Sequence, residues 1–281
     1  MTEQVRDPQE GGTWGPRSAA AEWQIREAVR VQTFGPATER MLELAKVNAG
    51  SRVLDVGAGA GDSTLMAAQR VGPTGHVLAT DISASMLEIA AESARHAGLA
   101  NVSTRVADAQ RLALASDSFE AAVSRFCLML IPDYQQAMTE IRRVLKPGAT
   151  FAAMVFSTPE RDPYLSMPHA IAFRVGRLTS PTPDRFGEFR LGAPGALEDA
   201  YRKAGFREVA VHTVSTRRRF PSLAEAVQYM QGPLPLRELM VRLSEAERDQ
   251  VWAEIERALA QFMGPNGYES PCELLIGTGV K

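Results

Sequence analysis

Residues 53–65, VLDVGAGAGDSTL, decide how the rest of the chain is read. A short apolar run ends in glycines at every second position, Gly57, Gly59 and Gly61, and then gives way to a helix-like segment. Glycine has no Cβ, so three of them at a strand-to-helix turn let the chain bend tightly and let bare backbone approach a ligand. The amides that open the following helix have no partners of their own and favour an electronegative group. A glycine-rich turn with no ligand is the alternative reading, and the flanking pattern separates the two.

Outward from that turn the chain alternates in period. RVLDVG reads as a buried strand, DSTLMAAQRV as a helix and HVLATD as a strand. SMLEIAAESARHAG is a helix, with Ser85 and Glu88 spaced as a capping box and Gly98 as its stop. NVSTRVAD and FEAAVSRF are the third and fourth strands. YQQAMTEIRRVL is an amphipathic helix, ended by KPG before the strand TFAAMVF. Strands separated by helices of this length imply right-handed parallel crossovers. The expected fold is an α/β, Rossmann-like, doubly wound sheet with a helical cap.

The expected organisation is one domain over 1–281. Residues 1–50 form an N-terminal arm and two helices, AAAEWQIREAVRV and ATERMLELAKV. Residues 51–156 form a half that carries the glycine turn, the expected cofactor side if a ligand sits there, and residues 157–281 a second half that carries the insertions. The rhythm breaks at 157–193 and again at 221–264, where prolines, glycines and helix signals mark insertions. The second contains a capping-box spacing at Ser244 and Glu247. Between and after them come the helix GALEDAYRKAGF and the strands EVAVHTVST and CELLIGTGV.

Ligands of such sheets sit beyond the carboxyl ends of the strands, beside the first strand. Asp81 ends the second strand about 20 residues after the glycines, where an acid accepts hydrogen bonds from ribose hydroxyls. A dinucleotide site favours Gly or Ala at the position held here by Asp62, because a carboxylate repels a pyrophosphate. A cofactor with an ammonium and a sulfonium, such as S-adenosylmethionine, tolerates acids nearby.

Four spaced stretches then resemble one family. VLDVGAGAGDST, ATDISASMLEIA, VADAQRLALASDSFEAAVSRF and IRRVLKPGATF occur in order within residues 50–157. They are similar to the motifs of class I S-adenosylmethionine-dependent methyltransferases of the type 11 group, which includes the ubiquinone and menaquinone biosynthesis enzymes. The resemblance implies a seven-stranded sheet in the order 3-2-1-4-5-7-6 and a cofactor site in which Gly57 and Gly59 line the methionine part and Asp55 supports its ammonium group. Asp81 would hold the ribose, Ile82 and Met86 would flank the adenine, and Asp108 and Ala109 would meet its edge. The main chain at Arg125 and Phe126 would face the amino-acid end. Ala58 stands where most relatives carry Cys or Ser. Met86 and Ile82 as plain core residues, Asp108 as a loop cap, and Arg125 in an ion pair with Asp81 or Asp108 are the alternatives.

The expected function is methyl transfer to a small-molecule acceptor. A nicotinamide-dependent oxidoreductase and a protein that binds S-adenosylmethionine without transferring its methyl are the rivals. The net charge of -2 leaves no basic field for nucleic acid or an anionic membrane. No run reaches the roughly 20 apolar residues of a membrane span. Cys127 and Cys272, both in strand-like runs, are too few for a disulfide framework or a metal cluster, which fits a reduced, cytoplasmic setting. Among four histidines, His76 and His212 fall in strands and His96 in a last helical turn. His169, among aromatic residues of the first insertion, is either a general base or an ordinary lid residue. Tyr164, Met167, Phe173, Phe186, Tyr229 and Met230 are the candidate pocket lining. Trp14, Trp23 and Phe34 are a candidate cover. Residues 217–219, three arginines, are either an acid-recognising patch or a solvated strand end.

Overall fold

A computed structural model describes residues 26–178, 187–232 and 235–281; Trp14, Trp23 and Phe186 lie outside them. Helix α1 (Glu27–Leu44) precedes β1 (Arg52–Val56), α2 (Asp62–Val71), β2 (His76–Asp81), α3 (Ala84–His96) and β3 (Val102–Val106). Then come β4 (Phe119–Arg125), α4 (Tyr134–Val144), β5 (Leu145–Phe156), α5 (Pro163–Val175) and α6 (Ala196–Lys203). The chain closes with β6 (Arg207–Phe220), α7 (Leu223–Met230), α8 (Pro235–Val241), α9 (Glu245–Leu259), β7 (Met263–Gly264) and β8 (Gly267–Val280).

The sheet order is β3-β2-β1-β4-β5-β8-β6, with the two-residue β7 paired to β8 as a hairpin. With that hairpin set aside, the last long strand lies between β5 and β6, as expected. Strands β1 to β5 are parallel and β8 runs antiparallel to both of its long neighbours. The central strands read as continuous apolar runs because helices cover both faces. Val53, Leu54, Ala121, Ala122, Phe151 and Ala152 are all without solvent exposure.

Several local expectations are corrected. Among the described residues the end of the first expected N-terminal helix and the second form one: α1 runs through Pro36, and Thr38 Oγ1 donates to the Phe34 carbonyl at 2.9 Å inside it. Helix α3 is capped by Ser83, whose hydroxyl accepts from the Met86 amide, so the capping-box reading of Ser85 and Glu88 starts the helix too late. The strand after α4 begins at Leu145 and includes the KPG turn residues. Cys127 lies past β4, at the start of a 3-10 turn, while Cys272 lies in β8 as expected. The Ser244–Glu247 capping box at α9 is present with both reciprocal bonds.

Beyond Phe156, where β5 ends opposite Leu274, β6 and β8 go on pairing to Phe220 and Tyr268. This two-stranded ribbon overhangs the carboxyl edge of the sheet and meets α1 through Thr216 Oγ1, which donates to the Thr33 carbonyl at 2.6 Å. Pro271 sits in the overhang, where β8 has become an edge that tolerates a missing amide. Helices α5 and α9 pack against each other above it. Among the described residues no helix is long and apolar enough to cross a membrane.

Candidate cofactor site

The glycine turn is built so that backbone replaces side chain. Gly57, Gly59 and Gly61 all have φ between 55° and 94°, the left-handed region that other residues avoid. A Cβ on Gly57 would lie 2.1 Å from Cys127 Sγ, so β4's exit loop closes directly onto the turn. Gly59 donates its amide to Asp81 Oδ2 at 2.9 Å, and Ser83 donates to Asp81 Oδ1 at 2.9 Å. The first and second strand ends are thereby locked together.

Asp55 is fully buried. Its Oδ2 accepts from Ser63 Oγ at 2.8 Å and Thr64 Oγ1 at 2.7 Å, while its Oδ1 has no partner among the described residues. Burial pushes the carboxyls of Asp55 and of Asp81 up from their ordinary values, against the pull of these hydrogen bonds. Ile82 is 44% exposed, which excludes the core reading for it, whereas Met86 is buried with its Cε next to Gly59. Asp108 Oδ1 accepts from the Gln110 amide at 2.8 Å, so it does cap its own loop. Ala109 is buried in the core. Phe126 takes φ 57° just after β4 and stacks on Phe156 at 4.5 Å, with Phe34 edge-on at 4.8 Å.

The Arg125 guanidinium pairs with neither Asp81 nor Asp108. It reaches Asp62 Oδ2 at 2.5 Å, and Arg30 from α1 grips the same carboxylate at 2.8 and 3.0 Å. Burial alone would raise Asp62, but Arg125 and Arg30 override it and hold the carboxyl well below the usual range. Asp62 therefore offers no bare negative charge, and its supposed repulsion of a pyrophosphate fails. An acid that reads as a cofactor filter fastens α1 over the turn.

The candidate acceptor residues scatter. His169 Nδ1 bonds the Leu165 carbonyl at 2.7 Å, and its Nε2 lies 3.8 Å from Glu188. Tyr164 is a buried tie, donating to the Ala226 carbonyl at 2.7 Å. Met230 is buried, and Phe173 is half-buried. Met167 turns away, into a groove with Arg174 and Glu254. Tyr229 stands beside Phe220 at 5.3 Å and under Arg26.

The three arginines divide: two fit the solvated strand end, and Arg218 fits neither reading. Arg217 and Arg219 pair with Glu269 at 2.6 Å on the outer face of β6. Arg218, pointing the other way, is buried and pairs with Asp162 at 2.8 Å. Asp162 also caps α5 and accepts from Cys272 Sγ at 3.2 Å. Strand alternation was the signal available for separating them.

Residues 47–167 match a family model described as a methyltransferase domain. Over 251 residues the chain is 32% identical to a nocamycin O-methyltransferase of Saccharothrix syringae, covering 84% of this chain and 87% of that one. The chain belongs to the S-adenosylmethionine-dependent methyltransferases. A demethylmenaquinone methyltransferase of Listeria welshimeri is 38% identical over 118 residues, 42% of this chain and half of the relative. The fold is also similar to a phosphoethanolamine N-methyltransferase of Haemonchus contortus bound to S-adenosylmethionine. There the TM-score is 0.61 at 18% identity, covering 98% of this chain and 58% of that one. The reaction is thus methyl transfer from S-adenosylmethionine, and the bare turn backbone and the unpartnered oxygen of Asp55 fit an ammonium-bearing cofactor.

Proposed function

We propose that the methyl group goes to an oxygen of a small organic acceptor held between the glycine turn and a cap formed by the described residues of 157–193 and 221–264. The likeness to nocamycin O-methyltransferase carries this reading. It spans 84% of the chain and so reaches far beyond residues 47–167, whereas the Listeria relative matches only 42%. Acceptor choice belongs to the second half of the chain, and there the O-methyltransferase is the more informative relative.

In this reading Asp55 holds the cofactor's ammonium through Oδ1, and the main chain of Gly57, Gly59, Arg125 and Phe126 borders its amino-acid end. Asp81 takes the ribose hydroxyls in addition to the amides it already accepts. Exposed Ile82 and buried Met86 flank the adenine, with Asp108 and Ala109 at its edge. The cofactor supplies an already activated methyl group. The chain's task is to align the acceptor and exclude water. Phe34, Phe126 and Phe156 form the dry wall for that task. His169 serves as pocket wall, because its ring is held to the Leu165 carbonyl and faces Glu188.

Incubation with S-adenosylmethionine carrying a carbon-13 methyl, followed by NMR of the small-molecule products, tests the reading. A methyl signal on oxygen supports it, and a signal on carbon or on macromolecules refutes it. For His169→Ala, the apparent KM should rise while the shape of the pH-rate profile persists; loss of an ionisation from the profile would make His169 a general base instead.

A further inference from the structure

The most unusual charge in the acceptor half is Arg218. It is 5% exposed, enclosed by rings, and set at the overhanging end of β6. Its guanidinium carbon lies 5.1 Å from the Phe34 centroid, 5.7 Å from Phe156 and 5.1 Å from Tyr164. Two of these rings, Phe34 and Phe156, also contact Phe126 at the edge of the glycine turn. Arg218 is therefore one aromatic layer from the cofactor site.

Its hydrogen bonds are one-sided. Nε and Nη2 face Asp162, at 3.5 and 2.8 Å, and Nη1 donates to none of the described residues. Arginine carries five donors in a planar fork, and a buried guanidinium with an open edge is arranged for a second anion. Both Asp162 oxygens are shared, Oδ2 between Arg218 Nη2 and Cys272 Sγ and Oδ1 between Arg218 Nε and the Leu165 amide, so Asp162 is held in place along one edge of the guanidinium and does not reach Nη1. The Tyr229 hydroxyl, in a side chain packed on Phe220, likewise bonds to none of the described residues. Burial pushes that hydroxyl up from its ordinary value, while Arg30, Arg218 and Arg26 pull it down and Asp62 opposes them. A neutral, apolar acceptor would need neither group.

Resting on the reading of this site as an acceptor pocket, we infer that the acceptor is an organic acid, held by its ionised group on the open edge of Arg218 with the Tyr229 hydroxyl as a second donor. The apolar remainder of the acceptor lies against Phe34, Phe126 and Phe156, beside the cofactor turn. Charge-assisted bonds to a guanidinium are roughly twice as strong as neutral ones, so the pocket separates an acid from its amide.

The test is calorimetric, with the full chain loaded with S-adenosylhomocysteine and titrated with salicylate and with salicylamide as probes. Salicylate should bind about tenfold or more tightly than salicylamide. Because Arg218→Met alone strands Asp162, the discriminating variant is Arg218→Met with Asp162→Asn, which keeps the volume and a capping side chain. In it the two probes should bind alike while S-adenosylhomocysteine affinity is retained. Tyr229→Phe should weaken salicylate several-fold and leave salicylamide unchanged. Equal binding of the probes to the unaltered protein, no salicylate binding, or a preference that survives in the double variant overturns the inference. Failure of S-adenosylhomocysteine itself to bind would instead strike the methyl-transfer reading.

Discussion

The buried acids at the carboxyl edge of the sheet have opposite surroundings. Asp55 and Asp81 are met directly only by hydroxyls and amides, and burial pushes both carboxyls upward. Asp62 and Asp162, each at the start of a helix, are gripped by guanidinium groups: Arg30 and Arg125 in one case, Arg218 in the other. A buried carboxylate without a protein cation is uncomfortable until a donor-rich ligand arrives, which suits Asp55 and Asp81 to a cationic cofactor with free hydroxyls. A carboxylate already matched by arginine is complete and ties elements together. Asp62 fastens α1 over the turn, and Asp162 fastens α5 to β6.

The sharpest way to break this comparison is to remove one cation. Arg218→Met alone leaves Asp162 buried and unmatched, which should cost about 3–5 kcal/mol in chemical denaturation. An unchanged midpoint would mean that Asp162 is not fastened by Arg218. Asp81→Ala should behave the other way. Cofactor affinity should fall about tenfold or more, for charge-assisted bonds worth roughly 1.5–3 kcal/mol, with a loss of unliganded stability, from the two freed amides, smaller than that of Arg218→Met. Calorimetry and melting on one preparation measure both.

Acid titration gives a smaller, signed effect. Asp62 is held low in the folded state, so its contribution is present above the unfolded carboxylate pKa of about 3.9 and is lost as pH falls through the folded value. Asp55 and Asp81 are held high, so their contribution is present below about pH 3.9 and is lost as pH rises through their folded values. Asp62→Asn should flatten the acid limb of stability against pH, and Asp55→Asn should flatten the decline above it. Identical curves for the two variants would erase the distinction. Smallest of all, Ser244→Ala removes the reciprocal cap of α9 and should lower stability by about 1 kcal/mol without changing cofactor affinity.

The cofactor half was legible because its chemistry is local in sequence. Strand, glycine turn and helix follow one another within residues 53–65, and Asp81 ends the next strand, so period and spacing place them together. The family resemblance then supplied the roles. The ion pairs were hidden because their partners are far apart: Arg30 and Asp62 are 32 positions apart, Arg125 and Asp62 are 63, and Asp162 and Arg218 are 56. A run of three arginines reads as one solvated feature until β6 continues through it and alternation sends Arg218 inward. Helix α1 runs on through Pro36, where the packing of Phe34, Ala37, Met41 and Leu42 overrides proline's local preference for a break.

The overhang of β6 and β8 past Phe156 also sets a hierarchy of opening. From Cys272 outward, β8 has lost the β5 neighbour that still shields residues 274–280 and keeps only the edge strand β6, so the ribbon can fray while the parallel core stays intact. Amide hydrogens of residues 216–220 should therefore exchange with solvent faster than those of residues 274–280. An acceptor could enter and a methylated product leave through such a partial unzipping at the sheet's rim, with no need for the cofactor turn itself to come apart.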